Sequence, residues 1–259
     1  MANFKSKERR ISAKIVILSI IIAILLIINI YLIYSGINAN VQEEKIISEI
    51  PKFISFDNST LVSIRMPAID DAENGVLTYL TVEATPGTGR ILVDIDNLLF
   101  WEDTQQSMRT ARKVAATISG KNIDEYDLIY NIYANASTIG GPSAGAAITM
   151  ATLAALEGKK LRDDVMITGS INHDGSLGPA GSILEKAKAA KLSGAKVFLV
   201  PLLQSRDVVY EITKNCETFG WTEICSTEQI PRKINIASDV GITVIEIENM
   251  TEAMRYMIA

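Results

Sequence analysis

Apolar and polar positions along the chain form segments with the pattern of strands and segments with the pattern of helices. Turn residues separate these segments. Segments rich in β-branched and aromatic residues predict strands, and segments with apolar residues every three or four positions predict helices. The predicted strands cover 77–84, 90–96, 126–134, 165–169, 196–200 and 242–247, and the predicted helices cover 104–119, 143–157, 182–192 and 250–258. This mixed order predicts an α/β (α+β) domain.

One segment breaks this pattern. Residues 203–240 suggest a short helical start followed by a loop-rich stretch, so we expect an insertion that runs over the surface. An insertion that covers a site or contacts a neighbour is the alternative. Cys216 and Cys225 lie in this segment, and the spacing leaves both a disulfide and two free thiols open.

The N-terminal region has a different composition. Residues 15–34 are apolar except for Ser19 and Asn29, and twenty such residues match a hydrocarbon core about 30 Å thick. Basic side chains precede this run, so the positive-inside rule predicts a cytoplasmic tail (1–14), an uncleaved signal anchor (15–35) and a stalk (36–60). The domain at 61–259 would then be extracytoplasmic. A cleaved signal peptide and a buried core helix are the alternatives.

Charge divides the chain in the same way. The first fourteen residues carry five basic and one acidic side chain, and the whole chain has a net charge of −5, so the remainder carries −9. This acidic balance argues against nucleic acid as a partner and against further binding to anionic lipid. About 200 residues beyond the stalk suit one domain with its own core.

A run of small residues provides the candidate nucleophile. Ser143 lies in Gly140-Gly141-Pro142-Ser143-Ala144-Gly145, at the start of an apolar helix. Gly141, Ala144 and Gly145 keep side chains away from the hydroxyl, Pro142 suits a first helical position, and free N–H groups at the helix start can hold an oxyanion. The same pattern fits the nucleophile elbow of an α/β-hydrolase, or a helix start without chemistry.

The histidine content limits the choice of base. His173 is the only histidine, and it lies in a predicted turn, Asn172 to Ser176. One histidine and two cysteines make a zinc site improbable, and no cofactor is expected. Lys186 lies on the apolar stripe of the helix at 182–192, where burial would lower its pKa from about 10.4 toward neutrality. A lysine that extends past alanines to solvent is the simpler alternative.

Three stretches together resemble the proteolytic domain of Lon-type proteases. They are Thr85–Arg90 with the strand-like 91–94, Gly140–Gly145 with its helix, and 164–201, so that the resemblance covers roughly 75–202. The resemblance implies that Ser143 is the nucleophile, that Lys186 is the general base and that Thr168 supports the pair. It also implies protein or peptide substrates and a ring-forming homo-oligomer.

The chain departs from that family in two ways. Gly141 stands where many members carry an acidic residue. The Gly-Gly sequence at 140–141 resembles an archaeal, stand-alone branch of the family. No Gly-x-x-x-x-Gly-Lys-Ser/Thr motif of an ATPase is present. We therefore expect a membrane-anchored serine endopeptidase that cleaves unfolded segments without ATP, unless a separate unfoldase acts with it. A non-catalytic binding module and a Ser-His esterase that uses His173 are the rivals.

Overall fold

The computed structural model describes residues 59–93, 102–134, 141–219 and 221–259, with five helical positions at 24, 26, 27, 29 and 31. The chain divides into two compact units, Met1–Ile54 and Ser55–Ala259. Within the described residues, no helix has both the length and the apolar character needed to cross a membrane. The predicted tail at 1–14, anchor at 15–35 and stalk at 36–60 lie almost wholly outside those residues, and they stay predictions.

The second unit alternates strands and helices. Its strands are β1 (Thr60–Ile69), β2 (Gly75–Pro86), β3 (Ile91–Val93), β4 (Tyr126–Ala134), β5 (Val165–Ile167), β6 (Ser170–Ile171), β7 (Leu177–Gly178), β8 (Val197–Pro201), β9 (Arg206–Phe219), β10 (Thr222–Asn235) and β11 (Thr243–Ile247). Its α-helices are α1 (Glu102–Ser119), α2 (Gly145–Glu157), α3 (Ile183–Leu192), α4 (Ile236–Val240) and α5 (Met250–Met257). The mixed α/β class is confirmed.

The first sheet has the order β1-β2-β4-β3, and only β3 and β4 run parallel. Every residue of β2 from Thr78 to Ala84 is buried, and the alternate residues Leu80 and Val82 pack in the main core from one face of the sheet. Helix α2 lies in that core, and every residue from Gly145 to Leu156 is buried. Such a helix is apolar on all sides because it is covered on all sides.

The second sheet is parallel and has the order β11-β8-β5. Strands β5 and β8 are short, apolar and almost wholly buried, as expected for strands covered on both faces, whereas the edge strand β11 is partly exposed. Helix α3 packs beside it, in a smaller core that includes Met166, Ile183, Ala187 and Phe198. The turn at 172–176 joins β6 to β7, and His173 lies exposed in it, as predicted.

A buried carboxylate orders the turn that follows β2. Asp127 accepts hydrogen bonds from the main-chain N–H groups of Thr88 and Arg90 and from the guanidinium of Arg90. These contacts, the Arg90 side chain first, hold the pKa of Asp127 well below its usual range. The stretch Thr85–Arg90 that carries part of the resemblance is therefore built around a structural anchor.

The prediction of a helical and loop-rich segment at 203–240 is wrong. Strands β9 and β10 form an antiparallel hairpin in which Arg206 pairs with Asn235 and Phe219 with Thr222. Cys216 and Cys225 face each other across the ladder and form a disulfide, which resolves the alternative that the sequence left open. Exposed apolar side chains hide the pattern, because the hairpin packs little against a core.

The other sequence-based boundaries need smaller corrections. Strand β4 has the predicted bounds, whereas β2 begins two residues earlier and ends two later than predicted, and β5 ends at Ile167. Strand β3 is described only to Val93. The helix predicted at 143–157 is preceded by a 3₁₀ turn at Pro142–Ala144. The α-helix itself begins at Gly145. Strand β1 was not predicted, and it begins at the last residue of the predicted stalk.

Candidate active site

Ser143 lies in the 3₁₀ turn that leads into α2. Gly141 precedes the turn with φ of 98°, a conformation that a side chain would strain. Gly145 follows it, and a Cβ there would lie 2.8 Å from Ile171 Cγ2 and 2.9 Å from Ile171 N. These two glycines allow the chain to turn sharply and to pack closely on β6, and the serine is left half-buried.

The main chain of Ser143 is fixed from the β5–β6 connection. Its carbonyl accepts hydrogen bonds from Gly169 N at 2.9 Å and from Thr168 Oγ1 at 3.3 Å. Ala146 N in turn donates to Gly169 O at 2.9 Å. The described contact of the Thr168 hydroxyl is thus to the backbone of the serine, although the resemblance implied support of the pair.

Lys186 approaches Ser143 from α3. Its Nζ lies 2.7 Å from Ser143 Oγ, and the lysine residue is only 4% exposed. Its neighbours Ile183, Ala187, Ala189 and Ala190 are all buried, whereas Lys188 and Lys191 on the opposite side are exposed. The apolar stripe predicted for this helix therefore faces the core, and it carries Lys186 into the protein instead of past it.

Burial sets the electrostatics of this pair. Removal from water disfavours the ammonium form and lowers the pKa of Lys186 to about 8. The protonated amine donates to the serine oxygen, and the neutral amine can accept the hydroxyl proton instead. A buried amine near neutrality in contact with a hydroxyl is the arrangement that general-base activation of a serine requires.

A cleft of about 280 Å³ opens beside the pair. It is lined by Met66, Pro67, Ala68 and Ile69 of β1, by Thr78, Thr104 and Ile132, by Gly141–Ala144, and by Pro179–Ser182 with Lys186. Most of these side chains are apolar, and Lys186 is the one charged group among them. The cleft can therefore accept an apolar side chain next to the serine.

The sequence could not identify several of these lining residues. Met66 and Ile132 are brought to the cleft by β1 and β4, which are remote in sequence from Ser143. The alternation of buried residues in β1, with Val62, Ile64 and Met66 on one face, was the available signal for that strand. Gln204 is not among the lining residues but bonds the main chain of Ala180, which is, and the sequence gave no signal for it.

Other candidate chemistry lies elsewhere. His173 does not line the cleft, and the hydroxyl of Ser143 is bonded to an amine instead of an imidazole. In the described part of the chain, one group of metal-ligand residue types comes together, Cys216, Glu223 and Cys225. Both of its sulfurs are consumed by the disulfide, so it offers no thiolate to a metal.

The sequence around this site matches a known protein family. Residues 76–231, more than half of the chain, match the model of the family described as the Lon protease (S16) C-terminal proteolytic domain. Lon protease 2 of Syntrophobacter fumaroxidans is 31% identical over 137 residues, which are 52% of this chain and 17% of that protein.

Two further relatives give similar figures. Lon protease of Lawsonia intracellularis is 30% identical over 64% of this chain and 21% of its own length. Lon protease 1 of Myxococcus xanthus is 34% identical over 50% of this chain and 16% of its own length. The chain thus spans about a fifth of the length of the curated relatives that it matches.

Proposed function

This chain belongs to the family of Lon (S16) C-terminal proteolytic domains, and we propose that it is a serine endopeptidase in which Ser143 and Lys186 form the catalytic pair. Family membership indicates serine peptidase chemistry. The 2.7 Å contact between the lysine amine and the serine hydroxyl carries the assignment of the two residues. Burial of the lysine supports its role as the base.

The proposed reaction is acyl transfer to water. Neutral Lys186 accepts the proton of the Ser143 hydroxyl as its oxygen bonds to the carbonyl carbon of the scissile peptide. The resulting ammonium returns that proton to the leaving amine when the C–N bond breaks. A water molecule then attacks the acyl-enzyme and gives a proton to the lysine, which passes it back to the serine.

The oxyanion would be held by main-chain N–H groups of the 3₁₀ turn around Ser143, because Gly145 N and Ala146 N at the start of α2 already donate to Pro142 O and Gly169 O. The first N–H groups of a helix have no intrahelical partner, and the helix dipole favours negative charge there. Gly141, Pro142, Ala144 and Gly145 keep this end of the helix clear of bulky side chains. Their contribution is therefore to leave the main-chain N–H groups accessible to the oxyanion. A single hydrogen-bond donor to an oxyanion increases the rate roughly 10²- to 10³-fold.

We propose unfolded or extended polypeptides as substrates, cleaved without ATP. The cleft is apolar and small, so it fits one side chain of a chain that has already been opened. The pair and the described lining of the cleft are formed by residues between Met66 and Lys186. A ring-forming homo-oligomer and a separate unfoldase stay predictions from the resemblance.

Anchoring to a membrane belongs to the same proposal. The apolar run at 15–34 and the basic residues before it support an extracytoplasmic position of the domain by the positive-inside rule. The disulfide between Cys216 and Cys225 supports that side, because disulfides persist in oxidising compartments. Separation of membrane and soluble fractions, with and without residues 1–35, tests the anchor.

Hydrolysis of casein by the full chain in detergent, without ATP, tests the proposed activity. We expect Ser143→Ala and Lys186→Ala to abolish cleavage. Lys188→Ala is the matched control, because it removes an exposed lysine from the same helix, and it should leave the rate unchanged. His173→Ala should also stay active, and its inactivity would favour the esterase instead. A folded wild type that cleaves nothing would favour the non-catalytic binding module.

A further inference from the structure

The side chain of Gln204 pairs with the main chain of a single residue. Its Nε2 donates to Ala180 O at 2.7 Å, and its Oε1 accepts from Ala180 N at 2.9 Å. The amide thus satisfies both main-chain polar groups of Ala180, as a neighbouring strand would do in a sheet. Ala180 is 7% exposed, so loss of these bonds would leave buried polar groups unpaired.

Ala180 belongs to a segment that serves the candidate site twice. Residues Pro179–Ser182 form one wall of the cleft, and Ser182 is the cap of the helix that carries Lys186. Lys186 N donates to Ser182 O at 3.1 Å, which closes the first turn of that helix. The position of this wall therefore sets the position of the lysine backbone.

Gln204 is itself held from behind. It closes a turn at the end of β8, where Gln204 N donates to Pro201 O at 3.2 Å. The next residue, Ser205, donates its N–H to Glu246 Oε1 of β11 at 2.9 Å. The amide is thus mounted on two strands of the parallel sheet, which is a rigid support for a side chain that fixes a wall.

The backbone is strained close to both residues of the Gln204–Ala180 pair. Leu203, in the turn before Gln204, has φ of 66°, and Ser182, two residues after Ala180, has φ of 53°. Neither residue is a glycine, and the side chain of Ser182 makes no capping bond that would explain its conformation. Backbone strain of this kind persists where the surrounding contacts determine the structure, and it is concentrated at functional sites.

We propose that Gln204 is a positioning residue of this site, which clamps Ala180 and so fixes both the cleft wall and the first turn of the lysine helix. The proposal rests on the proposed peptidase function. The described side-chain hydrogen bonds of Gln204 go to Ala180 and not to the serine or the lysine, so it acts through Ala180. Its removal should misplace Lys186 relative to Ser143 and reduce the rate of acylation more than the binding of substrate.

Gln204→Met tests this role, because methionine has a similar length and lacks the donor and the acceptor. We expect kcat per active site, measured on a short peptide, to fall roughly 10- to 100-fold, as small displacements of catalytic groups do. Gln229→Met is the matched control, since Gln229 is exposed on the hairpin, and its kcat should equal that of the wild type.

Hydrogen exchange provides a readout that does not depend on activity. In Gln204→Met, the amides of 180–186 should exchange faster, while those of α2 should keep the protection of the wild type. Unchanged exchange together with an unchanged kcat would overturn the proposal. A lower melting temperature with normal kcat per titrated site would show a purely structural role and would also overturn it.

Two further outcomes are separable. If the wild type cleaves no peptide, the proposed function fails, and the exchange measurement still decides whether Gln204 holds the wall. If Gln204→Met does not fold, Gln204→Asn replaces it, because the shorter side chain keeps the amide but cannot reach both groups of Ala180. We expect the same loss of kcat in that variant, and a normal kcat would overturn the proposal.

Discussion

Helix α2 and the hairpin of β9 and β10 are ordered by different means. In α2 every residue from Gly145 to Leu156 is buried, and the helix touches the core on all sides. In the hairpin, Val208, Tyr210 and Ile212 project from one face of β9, and all three are exposed. The helix is held by packing, whereas the hairpin is held by its main-chain ladder and one disulfide.

This difference teaches where the chain can tolerate change. Packed side chains transmit small displacements, because interiors are dense and have few voids. The position of Ser143 is therefore sensitive to single methyl groups near the start of α2. A ladder of main-chain bonds with solvated side chains transmits little, so substitutions on the hairpin should stay local.

The largest expected effect is the pH dependence of acylation, which reports the protonation of Lys186. This residue lies in the packed region of the molecule. With a pKa of about 8, the neutral fraction is about 1% at pH 6 and about 90% at pH 9. Only the neutral amine can accept the serine proton, so acylation should increase nearly 100-fold over that range and level off above it. Single-turnover acylation measures this, and a rate that stays flat from pH 6 to pH 9 would contradict the lysine as base.

The second largest effect is expected from the addition of a single methyl group in the packed region. Gly145→Ala places a Cβ against Ile171, and the overpacking should cost about 1–3 kcal/mol of the free energy of unfolding. Because α2 and β6 must then separate, we expect peptide hydrolysis to fall roughly tenfold. Urea denaturation and peptide kinetics measure the two effects.

Gly158→Ala is the control for that change, at the other end of the same helix. Its φ of 66° makes alanine strained, but no atom lies within 4 Å of the added Cβ. We expect a loss of about 1–2 kcal/mol in stability and normal peptide kinetics. Equal loss of activity in both variants would argue that the start of α2 has no special role.

Removal of the disulfide should affect only the hairpin. Cys216→Ser with Cys225→Ser opens a loop of about ten residues, which the chain-entropy model values at about 2–3 kcal/mol. Because the hairpin is exposed, we expect faster hydrogen exchange across 206–235 and unchanged peptide hydrolysis. A reductant should reproduce the effect in the wild type and add nothing in the double variant. A fall in peptide hydrolysis would show that the two regions are coupled.

The smallest effect is expected on the exposed face of the hairpin. Val208→Ser, Tyr210→Ser and Ile212→Ser together should change stability by no more than about 0.5 kcal/mol for each residue and leave peptide kinetics unaltered. Ile167→Ser, the same kind of change at a buried strand position, should cost several times more. Thermal denaturation measures both losses of stability. A loss in the triple hairpin variant as large as that of Ile167→Ser would mean that this face of the hairpin is covered in the protein.

Local patterns could predict the parts of the fold that pack on a core. The apolar stripe of residues 182–192 put Lys186 on the side that faces the core, although it left a lysine extending to solvent as the alternative, and the strand at 126–134 was predicted with its observed bounds. Each of these signals arises because burial imposes a period on the sequence. The pairing of Ser143 with Lys186 came from the resemblance, and the structure places the two atoms within hydrogen-bond distance.

The parts that were missed lack such a period or depend on remote contacts. The hairpin has apolar and charged residues on both faces, because neither face is committed to a core. Pro231 in β10 also argues locally against a strand, although an edge strand tolerates it. Gln204 is an ordinary polar residue in the sequence, and only the fold brings its amide to Ala180.

The free turn of the hairpin has a practical consequence for protein engineering. Strands β9 and β10 meet near Trp221, whose side chain is fully exposed, and the disulfide braces the ladder behind it. Exposed loop tips are the sites where inserted sequence is best tolerated. An affinity tag or a fluorophore inserted between Phe219 and Thr222 would therefore label this protein while the residues around Ser143 keep their packing.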